Sequence, residues 1–281
     1  HESKDTRYFS TRVMEYWLKE YHIDGYRFDL SKGFTQKNNP TDVNAFGAYD
    51  ASRIAIWKEY HDSLQTYSKG AYTILEHFAD NTEEKELSAY GMLLWGNSNY
   101  NYNEGTLGYV NSSDVSWSLS QVRGWTKPLL ISYMESHDEE RLMYKNTQFG
   151  NIQGSYNTRE KNTALDRMKM AAAIFLMTPG PRMIWQFGEL GFDYSINTCL
   201  NGTVNNNCRL DNKPIVWNYL HDTARKSSFD WYSKLLKLRN SQAWQTASRN
   251  ISYNLTGAFK WVGFNTNEDL NLVAQGNFDV K

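Results

Sequence analysis

Short apolar runs of five or six residues alternate along most of the chain with longer segments that repeat apolar residues every three or four positions. The short runs predict strands at residues 25–30, 71–76, 91–95, 129–134 and 182–187. The longer segments predict helices at residues 8–21, 50–67, 115–122, 164–177 and 229–238. In the first helix the apolar positions are Phe9, Val13, Trp17 and Leu18. This alternation, which repeats about every 50 residues, is typical of an α/β fold.

The pattern changes after about residue 242. Residues 251–280 alternate with a period of two, and breaks fall at Thr256-Gly257 and at residues 265–267. We therefore expect residues 1–241 to form the α/β part and residues 242–281 to be the beginning of a separate all-β domain, cut off at the chain end.

Length and composition narrow the class of protein. The 281 residues are enough for one α/β barrel, which takes about 250 residues, or for two smaller domains. A net charge of −1 without Lys/Arg runs gives no sign of a nucleic-acid partner. The mean hydropathy is −0.68, and no apolar run is long enough to predict a membrane span. The chain has 10 Trp, 19 Tyr and 13 Phe residues, and exposed aromatic rings could stack on sugars.

The two cysteines, Cys199 and Cys208, lie in a loop rich in Asn and Gly. In an exported protein they could form one local disulfide, and two free thiols fit the sequence equally well. The sequence shows no signal peptide and starts at His1 rather than at Met, so we expect any targeting segment to lie upstream.

Three acidic residues, Asp29, Glu76 and Asp138, each follow a predicted strand. In a barrel of alternating strands and helices the active site lies at the carboxyl ends of the strands, so these side chains are expected to converge. Cleavage of a glycosidic bond needs two carboxyl groups, one ionised to attack and one protonated to donate. A single acid after a strand is more often a helix cap or a loop residue, so the assignment depends on the neighbouring residues.

The first acid ends the sequence Gly-Tyr-Arg-Phe-Asp at residues 25–29. Arg27 and Asp29 are two apart on a predicted strand, so both side chains point to one face, where a guanidinium would keep the carboxylate ionised. A structural salt bridge would give the same pattern. With Lys32 downstream, the sequence resembles the nucleophile motif of the α-amylase family. The resemblance implies that Asp29 is the nucleophile, that Arg27 positions it and that Lys32 contacts a bound glucose.

The second acid ends the sequence Tyr-Thr-Ile-Leu-Glu at residues 72–76, which is similar to the acid/base motif of the same family. Burial among apolar groups would raise the pKa of Glu76, as a general acid requires. An ordinary glutamate at a strand end is the alternative. We expect His77 to line the site rather than to bind a metal, because no second His or Cys lies at ligand spacing.

The third motif is Ser-His-Asp at residues 136–138. It resembles the His-Asp pair of the family, which more often has Asn at the position of Ser136. The resemblance implies that His137 binds substrate hydroxyl groups and that Asp138 stabilises the transition state.

Other acidic residues near these motifs are expected to have supporting roles. The three glutamates around the His-Asp pair, Glu135, Glu139 and Glu140, are expected not to be catalytic. Arg141 is expected to pair with one of these glutamates. Residues 180–189 resemble the last-strand motif of the family, which usually ends in Gly-Glu, so Glu189 is also expected to be supportive.

Together the motifs cover about residues 8–240 in the order of the family. They imply a (β/α)8 TIM barrel of which about strands 4–8 are present, and the Asp and Asn-His motif that normally precedes them is absent. The resemblance also implies a structural Ca2+, which the family binds mostly through segments outside this chain. One further ligand in the family is a backbone carbonyl, which would fall near Gly33. The metal ligands within this chain are therefore unknown. An open half barrel would expose strand edges and apolar faces, and we expect the missing N-terminal half as a partner.

The resemblance implies a retaining hydrolase that cleaves α-1,4-glucosidic bonds in starch, glycogen or maltooligosaccharides. Branching enzymes and glucanotransferases share the same three acids, so transfer to a sugar hydroxyl is the second interpretation. An inactive sugar-binding fragment is the third. The motifs do not distinguish hydrolysis from transfer, because the loops decide whether water or a sugar reaches the intermediate.

Two further expectations concern substrate and location. Three aromatic residues could stack on glucose rings or pack in the core, and of these we take Trp95 as the candidate for substrate binding; the other two are Tyr100 and Tyr102. Large glucans do not enter most cells, and a cysteine pair suits an oxidising compartment. A secreted, cell-surface or periplasmic protein is therefore favoured over a cytoplasmic one.

Overall fold

The computed structural model describes residues 1–39, 41–248, 250–265 and 271–280. The chain divides into two compact units. The first comprises residues 1–96 and 119–131, and the second comprises residues 97–118 and 132–281. Among the described helices, none combines the length and the apolar character needed to cross a membrane.

The first unit contains parallel strands alternating with helices. Its elements are α1 (Lys4–Glu20), β1 (Gly25–Phe28), α2 (Val43–Gly47), α3 (Ala51–Tyr67), β2 (Tyr72–Leu75), α4 (Asn81–Tyr90), most of β3 (Leu93–Asn97) and the start of β4 (Leu130–Tyr133). Strand β1 pairs in parallel with β2, from Gly25 opposite Tyr72 to Phe28 opposite Leu75. Strand β2 pairs in parallel with β3. The α/β architecture predicted from the alternation is therefore present in this unit.

The core of the first unit lies between α3 and the strands. Its fully buried side chains include Trp57, Tyr60, Leu64, Leu75 and Leu94. Burial of each such side chain stabilises the fold by roughly 1.5–3 kcal/mol. This packing fixes the strands whose carboxyl ends carry Asp29 and Glu76.

The side chain of Asp50 caps the N-terminus of α3. It accepts hydrogen bonds from the backbone N–H groups of Ser52 at 2.9 Å and Arg53 at 3.4 Å. Burial alone would raise the pKa of Asp50, but hydrogen bonds from Ser52, Thr35 and the backbone outweigh it and lower that pKa to about 2. The charged carboxylate therefore stabilises the helix start.

Replacing this cap, Asp50→Ala, is expected to lower the free energy of unfolding by about 1–2 kcal/mol at pH 7, because two N–H groups lose their acceptor. The folded-state pKa lies below the unfolded one, so this stabilisation is complete above about pH 4 and is lost as the pH falls through about 2. Urea unfolding should show a smaller difference between wild type and variant at pH 3 than at pH 7. An equal difference at both pH values would contradict a charged cap.

Helix α1 is longer than predicted and buries a different face. Its N-cap is Ser3, whose side chain accepts from the Asp5 N–H. Leu18 is buried, but the other predicted apolar positions are exposed, by 67% at Phe9, 40% at Val13 and 45% at Trp17. The buried face carries Thr11, Met14, Glu15 and Leu18. The helix has apolar residues on two faces, and only one of them packs against the core of this unit.

The second unit is mainly helical, with a small sheet at its end. Its elements are α5 (Asn99–Leu107), α6 (Leu142–Phe149), β5 (Ile152–Gln153), β6 (Tyr156–Asn157), α7 (Lys161–Met177), β7 (Arg182–Met183), α8 (Thr223–Arg239), α9 (Gln242–Ala247), β8 (Ile251–Asn254), β9 (Phe259–Asn265) and β10 (Asn271–Asn277). The end of β4 pairs in parallel with β7, with Ser132 opposite Arg182. Helix α7, the most apolar of the predicted helices, is buried along most of its length and packs against α8.

The C-terminal residues form a three-stranded antiparallel sheet in the order β10-β9-β8. The predicted break at Thr256-Gly257 is a turn, in which Gly257 has a φ of +65°. Of the second predicted break, residues 266 and 267 lie outside the described residues. The prediction of an all-β segment from residue 242 is wrong at its start, because Ser241 accepts from the Trp244 N–H and caps the short helix α9.

Two other predicted elements differ from the structure. Residues 115–122 form a single 3-10 turn, Ser116–Ser118, instead of a helix, because the Val115 N–H bonds to the carbonyl of Leu255 and the Asp114 side chain accepts from Ser116. The strand predicted at residues 182–187 stops at Met183. Phe187 has a φ of +57°, which turns the chain out of the strand direction.

Candidate active site

The ends of β1 and β2 bring Asp29 and Glu76 together. Each acid directly follows its strand, and Phe28 lies opposite Leu75 in the register, so the next residues are neighbours. The two carboxyl groups are close enough for Asp29 to raise the pKa of Glu76, which favours the protonated form of Glu76. Two neighbouring carboxyl groups, one of them with a raised pKa, are the kind of pair that glycosidic cleavage requires.

Arg27 bridges the two acids. Its Nη1 donates to Asp29 Oδ1 at 2.6 Å, and its Nη2 lies 3.1 Å from Glu76 Oε2. The guanidinium lies over the ring of Trp95 on β3, 4.8 Å from the ring centre. The ring holds the guanidinium in place beside the two acids.

The environment of Glu76 suits a general acid. Burial raises the pKa of Glu76 most, and the neighbouring Asp29 raises it further. The Leu30 N–H, which donates to Glu76 Oε2 at 2.8 Å, and the charge of Arg27 act in the opposite direction. The net shift is upward, as the sequence predicts for a partly buried glutamate.

Two non-glycine residues beside the acids have left-handed backbones. Leu30, next to Asp29, has φ and ψ of 43° and 46°, and Phe78, two residues after Glu76, has a φ of 49°. Such conformations cost about 1–3 kcal/mol each and persist only where the surrounding structure holds them. The conformation of Leu30 directs its N–H at Glu76, so the strain is located where it shapes the site.

The two remaining candidates for substrate binding in the first unit, Lys32 and Trp95, lie in different surroundings. Lys32 Nζ lies 3.5 Å from the carbonyl oxygen of Phe78 and 5.4 Å from the centre of the Phe46 ring. Trp95 is half-buried. In this part of the chain, therefore, Asp29, Glu76, Arg27 and Trp95 form one cluster and Lys32 lies at its border.

His137 and Asp138 belong to the second unit, in the segment after β4. His137 Nε2 lies 3.2 Å from Asp138 Oδ2. Ser136 Oγ accepts from the Asp138 N–H at 3.0 Å, so the serine that departs from the family motif still fixes the backbone of Asp138. The ring of His137 lies 5.7 Å from that of Trp185.

Sequence reasoning missed Arg209, which binds Asp138 directly. Its Nη2 donates to the carbonyl oxygen of Asp138 at 2.7 Å and to Asp138 Oδ1 at 3.0 Å.

Arg209 directly follows Cys208, which forms a disulfide with Cys199, so the open question of the cysteines is resolved in favour of a bridge. A cavity of about 240 Å³ adjoins this contact, and its lining includes His137, Asp138, Trp185, Tyr194 and Arg209. The position of a basic residue next to Cys208 was the only feature of the sequence that could have indicated this role of Arg209.

Glu135, a buried acid of the second unit, supports the backbone. Glu135 Oε1 accepts from the Leu142 N–H at 2.7 Å, and Glu135 Oε2 lies 3.5 Å from Arg141, the pairing expected for that arginine. Burial raises the pKa of Glu135 and of Glu189.

Tyr102 is fully buried against Phe175, so it belongs to the core, whereas Tyr100 is 63% exposed.

Among the His, Cys, Asp and Glu side chains of the described residues, the structure offers one candidate metal group. Within the described ranges, one group of three potential ligands is close enough to share an ion, namely Cys199, Cys208 and Asp211. The two cysteines are joined to each other, and calcium prefers oxygen ligands, so this group does not fit Ca2+.

The chain resembles known proteins in sequence and in fold. The family model of the α-amylase catalytic domain matches residues 2–267. A 1,4-α-glucan branching enzyme of Clostridium perfringens strain SM101 is 26% identical over 196 residues, which cover 63% of this chain and 27% of that protein.

Two solved structures illustrate the likeness in fold. An Anoxybacillus α-amylase has a TM-score of 0.60 at 17% identity and covers 95% of this chain and 50% of its own. A pullulanase from Paenibacillus barengoltzii, in complex with maltohexaose and α-cyclodextrin, has a TM-score of 0.66 at 16% identity and covers 94% of this chain and 42% of its own. The chain therefore spans half or less of the length of these relatives.

Proposed function

Because the chain belongs to the α-amylase family, we propose that it carries the nucleophile and the acid/base of a retaining enzyme that cleaves α-1,4-glucosidic bonds in starch, glycogen or maltooligosaccharides. The observation that carries this proposal is that Arg27 bridges Asp29 and Glu76, and that the pKa of Glu76 is raised. The pullulanase with bound maltohexaose and the α-amylase of Geobacillus thermoleovorans with acarbose support an α-glucan as the substrate class.

The proposed reaction has two steps. Asp29 attacks the anomeric carbon while Glu76 donates its proton to the departing glycosidic oxygen, and a glycosyl ester forms on Asp29. Glu76, now a carboxylate, removes a proton from water, and the water attacks the same carbon and releases Asp29. Arg27 stabilises the carboxylate of Asp29 before attack and after release. His137 and Asp138 bind substrate hydroxyl groups and stabilise the transition state.

The stereochemistry of the product tests the proposed reaction. Two displacements at one carbon retain its configuration, so the α-anomer should appear first when the full-length protein cleaves a maltooligosaccharide. Proton NMR of the early products, recorded before the anomers equilibrate, measures this. First appearance of the β-anomer would contradict a covalent intermediate on Asp29.

Transfer to a sugar hydroxyl is the second candidate, and the branching-enzyme relative favours it. The first step is the same, and the acceptor in the second step is a glucan instead of water. Chromatography of the products by size separates the two, since hydrolysis only shortens maltohexaose whereas transfer also yields longer chains. The third interpretation, an inactive sugar-binding fragment, requires binding without any products.

We propose further that this chain supplies about strands 4–8 of a (β/α)8 barrel and the beginning of a β-sandwich domain. The exposed apolar residues of α1 support a covering polypeptide, and the chain spans 50% of the Anoxybacillus α-amylase and 42% of the pullulanase. The N-terminal half of the barrel is the proposed partner. Calcium binding stays a prediction, and the ion would take most of its ligands from the N-terminal half. The Cys199–Cys208 disulfide supports export to an oxidising compartment.

Replacing Arg209 by alanine is expected to lower kcat about 10-fold, because Asp138 loses a donor that fixes both its carboxylate and its carbonyl. Reduction of the Cys199–Cys208 bridge should lower the wild-type rate in the same way, by releasing the loop that ends at Arg209. In Arg209→Ala, reduction should have no further effect. A second, equal loss on reduction of the variant would show that the disulfide acts independently of Arg209.

A further inference from the structure

A chain of buried hydrogen bonds runs from Ser31 to Arg53 in the first unit. Ser31 Oγ lies 2.8 Å from His77 Nδ1, and His77 Nε2 lies 2.7 Å from Glu83 Oε1. Both oxygens of Glu83 accept from Arg53, at 2.6 and 2.7 Å. All four residues are fully buried, so their polar groups depend on one another. We call these four residues the Ser31–Arg53 network.

The far end of the network also holds the turn that follows β1. Arg53 Nη1 donates to the carbonyl oxygens of Lys32 at 2.9 Å and Phe46 at 3.0 Å. Trp57 Nε1 donates to the carbonyl oxygen of Ser31 at 3.0 Å. The turn Ser31–Phe34 is therefore fixed by a side chain at Ser31 and by donors to two consecutive carbonyls.

The near end of the network adjoins both acids. Ser31 follows the strained Leu30, whose N–H binds Glu76 Oε2, and His77 follows Glu76. The Ser31 N–H also donates to the carbonyl oxygen of Glu76 at 2.9 Å. The bond between Ser31 and His77 thus joins the residue after Leu30 to the residue after the acid/base.

The proton positions in the network follow from its acceptors. Glu83 accepts from His77 Nε2, so in neutral His77 the other nitrogen, Nδ1, is an acceptor and the Ser31 hydroxyl donates to it. Burial lowers the pKa of His77, which favours this neutral form, although Glu83 acts against it. Ser31 Oγ also lies 2.8 Å from the Glu76 carbonyl oxygen, so the hydroxyl contacts both Glu76 and His77.

We propose that the Ser31–Arg53 network is a positioning element of the site. It holds Leu30 in its left-handed conformation, and this keeps the Leu30 N–H on Glu76 and the carboxyl of Asp29 beside it. Ser31 and His77 are its positioning residues, and neither touches the substrate. The inference rests on the proposed function and deepens it, because it names what sets the separation of the two acids.

Three variants test the bond between Ser31 and His77. Ser31→Ala removes the hydroxyl, and His77→Gln keeps an amide at the Nε2 position facing Glu83 but loses the contact with Ser31. Both are expected to lower kcat on maltohexaose about 10- to 100-fold with KM changed less than about twofold, since a small misplacement of the acids affects the transition state most. His77→Asn keeps an amide oxygen at the Nδ1 position and should retain kcat within about threefold.

His61 offers a matched control in the same unit. Its Nδ1 lies 2.8 Å from Thr73 Oγ1, also between a helix and β2, and both side chains are buried. His61→Asn should lower the thermal midpoint by a few degrees and leave kcat and KM within about twofold. If Ser31→Ala and His77→Gln also keep kcat within twofold, or if His77→Asn loses as much as His77→Gln, the proposal is overturned.

Amide hydrogen exchange tests the positioning without any activity. In Ser31→Ala the Leu30 N–H should exchange at least about 10-fold faster than in wild type, and in His61→Asn it should not change. If the wild-type protein acts on no α-glucan, the proposed function fails while this readout still decides the inference. Unchanged exchange at Leu30 in Ser31→Ala would overturn the positioning role.

Discussion

The variant Glu76→Gln should lower kcat on starch by about 10³-fold or more, because glutamine donates no proton to the departing oxygen. The same variant should recover much of the first step with maltosyl fluoride, since fluoride departs without a proton. Reducing-sugar release and fluoride release measure the two substrates. Glu86→Gln is the matched control, because Glu86 on α4 pairs with Lys58 and should change neither rate. Loss of fluoride release equal to the loss on starch would contradict the role of Glu76 as acid.

The pH dependence of the wild type follows from the same residue. Burial and Asp29 raise the pKa of Glu76, and the reaction needs its protonated form, so activity should fall as the pH rises through this raised pKa. The alkaline limb of kcat/KM should therefore lie above the range of an ordinary glutamate. For fluoride release by Glu76→Gln, that limb should be absent. Persistence of the limb in the variant would assign it to another group.

The variant Asp29→Asn should lose activity on both substrates, by about 10⁴-fold or more. An amide is a poor nucleophile, and maltosyl fluoride compensates for a missing acid only, so no recovery is expected. Asp24→Asn is the matched control, since Asp24 is exposed and lies five residues upstream, before β1. Fluoride release that survives in Asp29→Asn would exclude Asp29 as the nucleophile.

Much of the first unit could be predicted from the sequence because its signals are local. The strands ending near Asp29 and Glu76 are short apolar runs that start near a glycine or alanine, and they appear within two residues of their predicted bounds. The resemblance of the motifs selected the two acids, and the strand register explains why they are neighbours. Asp50, predicted as the start of a helix, caps α3.

The features that remained hidden depend on contacts between distant segments. Nothing near Leu30 in the sequence predicts a left-handed leucine, since the conformation is held by Ser31, His77 and Glu83 from three separate elements. Arg209 reaches Asp138 from 71 residues away through a disulfide loop. Likewise, periodicity alone could not show which apolar face of α1 would be buried.

The most direct measurement is the intact mass of full-length Glu76→Gln after incubation with maltosyl fluoride, followed by peptide mapping. The variant should form the glycosyl ester quickly and hydrolyse it slowly, because the glutamine activates water poorly. We predict one added maltosyl group, located on Asp29. An adduct on another residue, or turnover of maltosyl fluoride to maltose with the β-anomer released first, would contradict Asp29 as the nucleophile of a retaining enzyme.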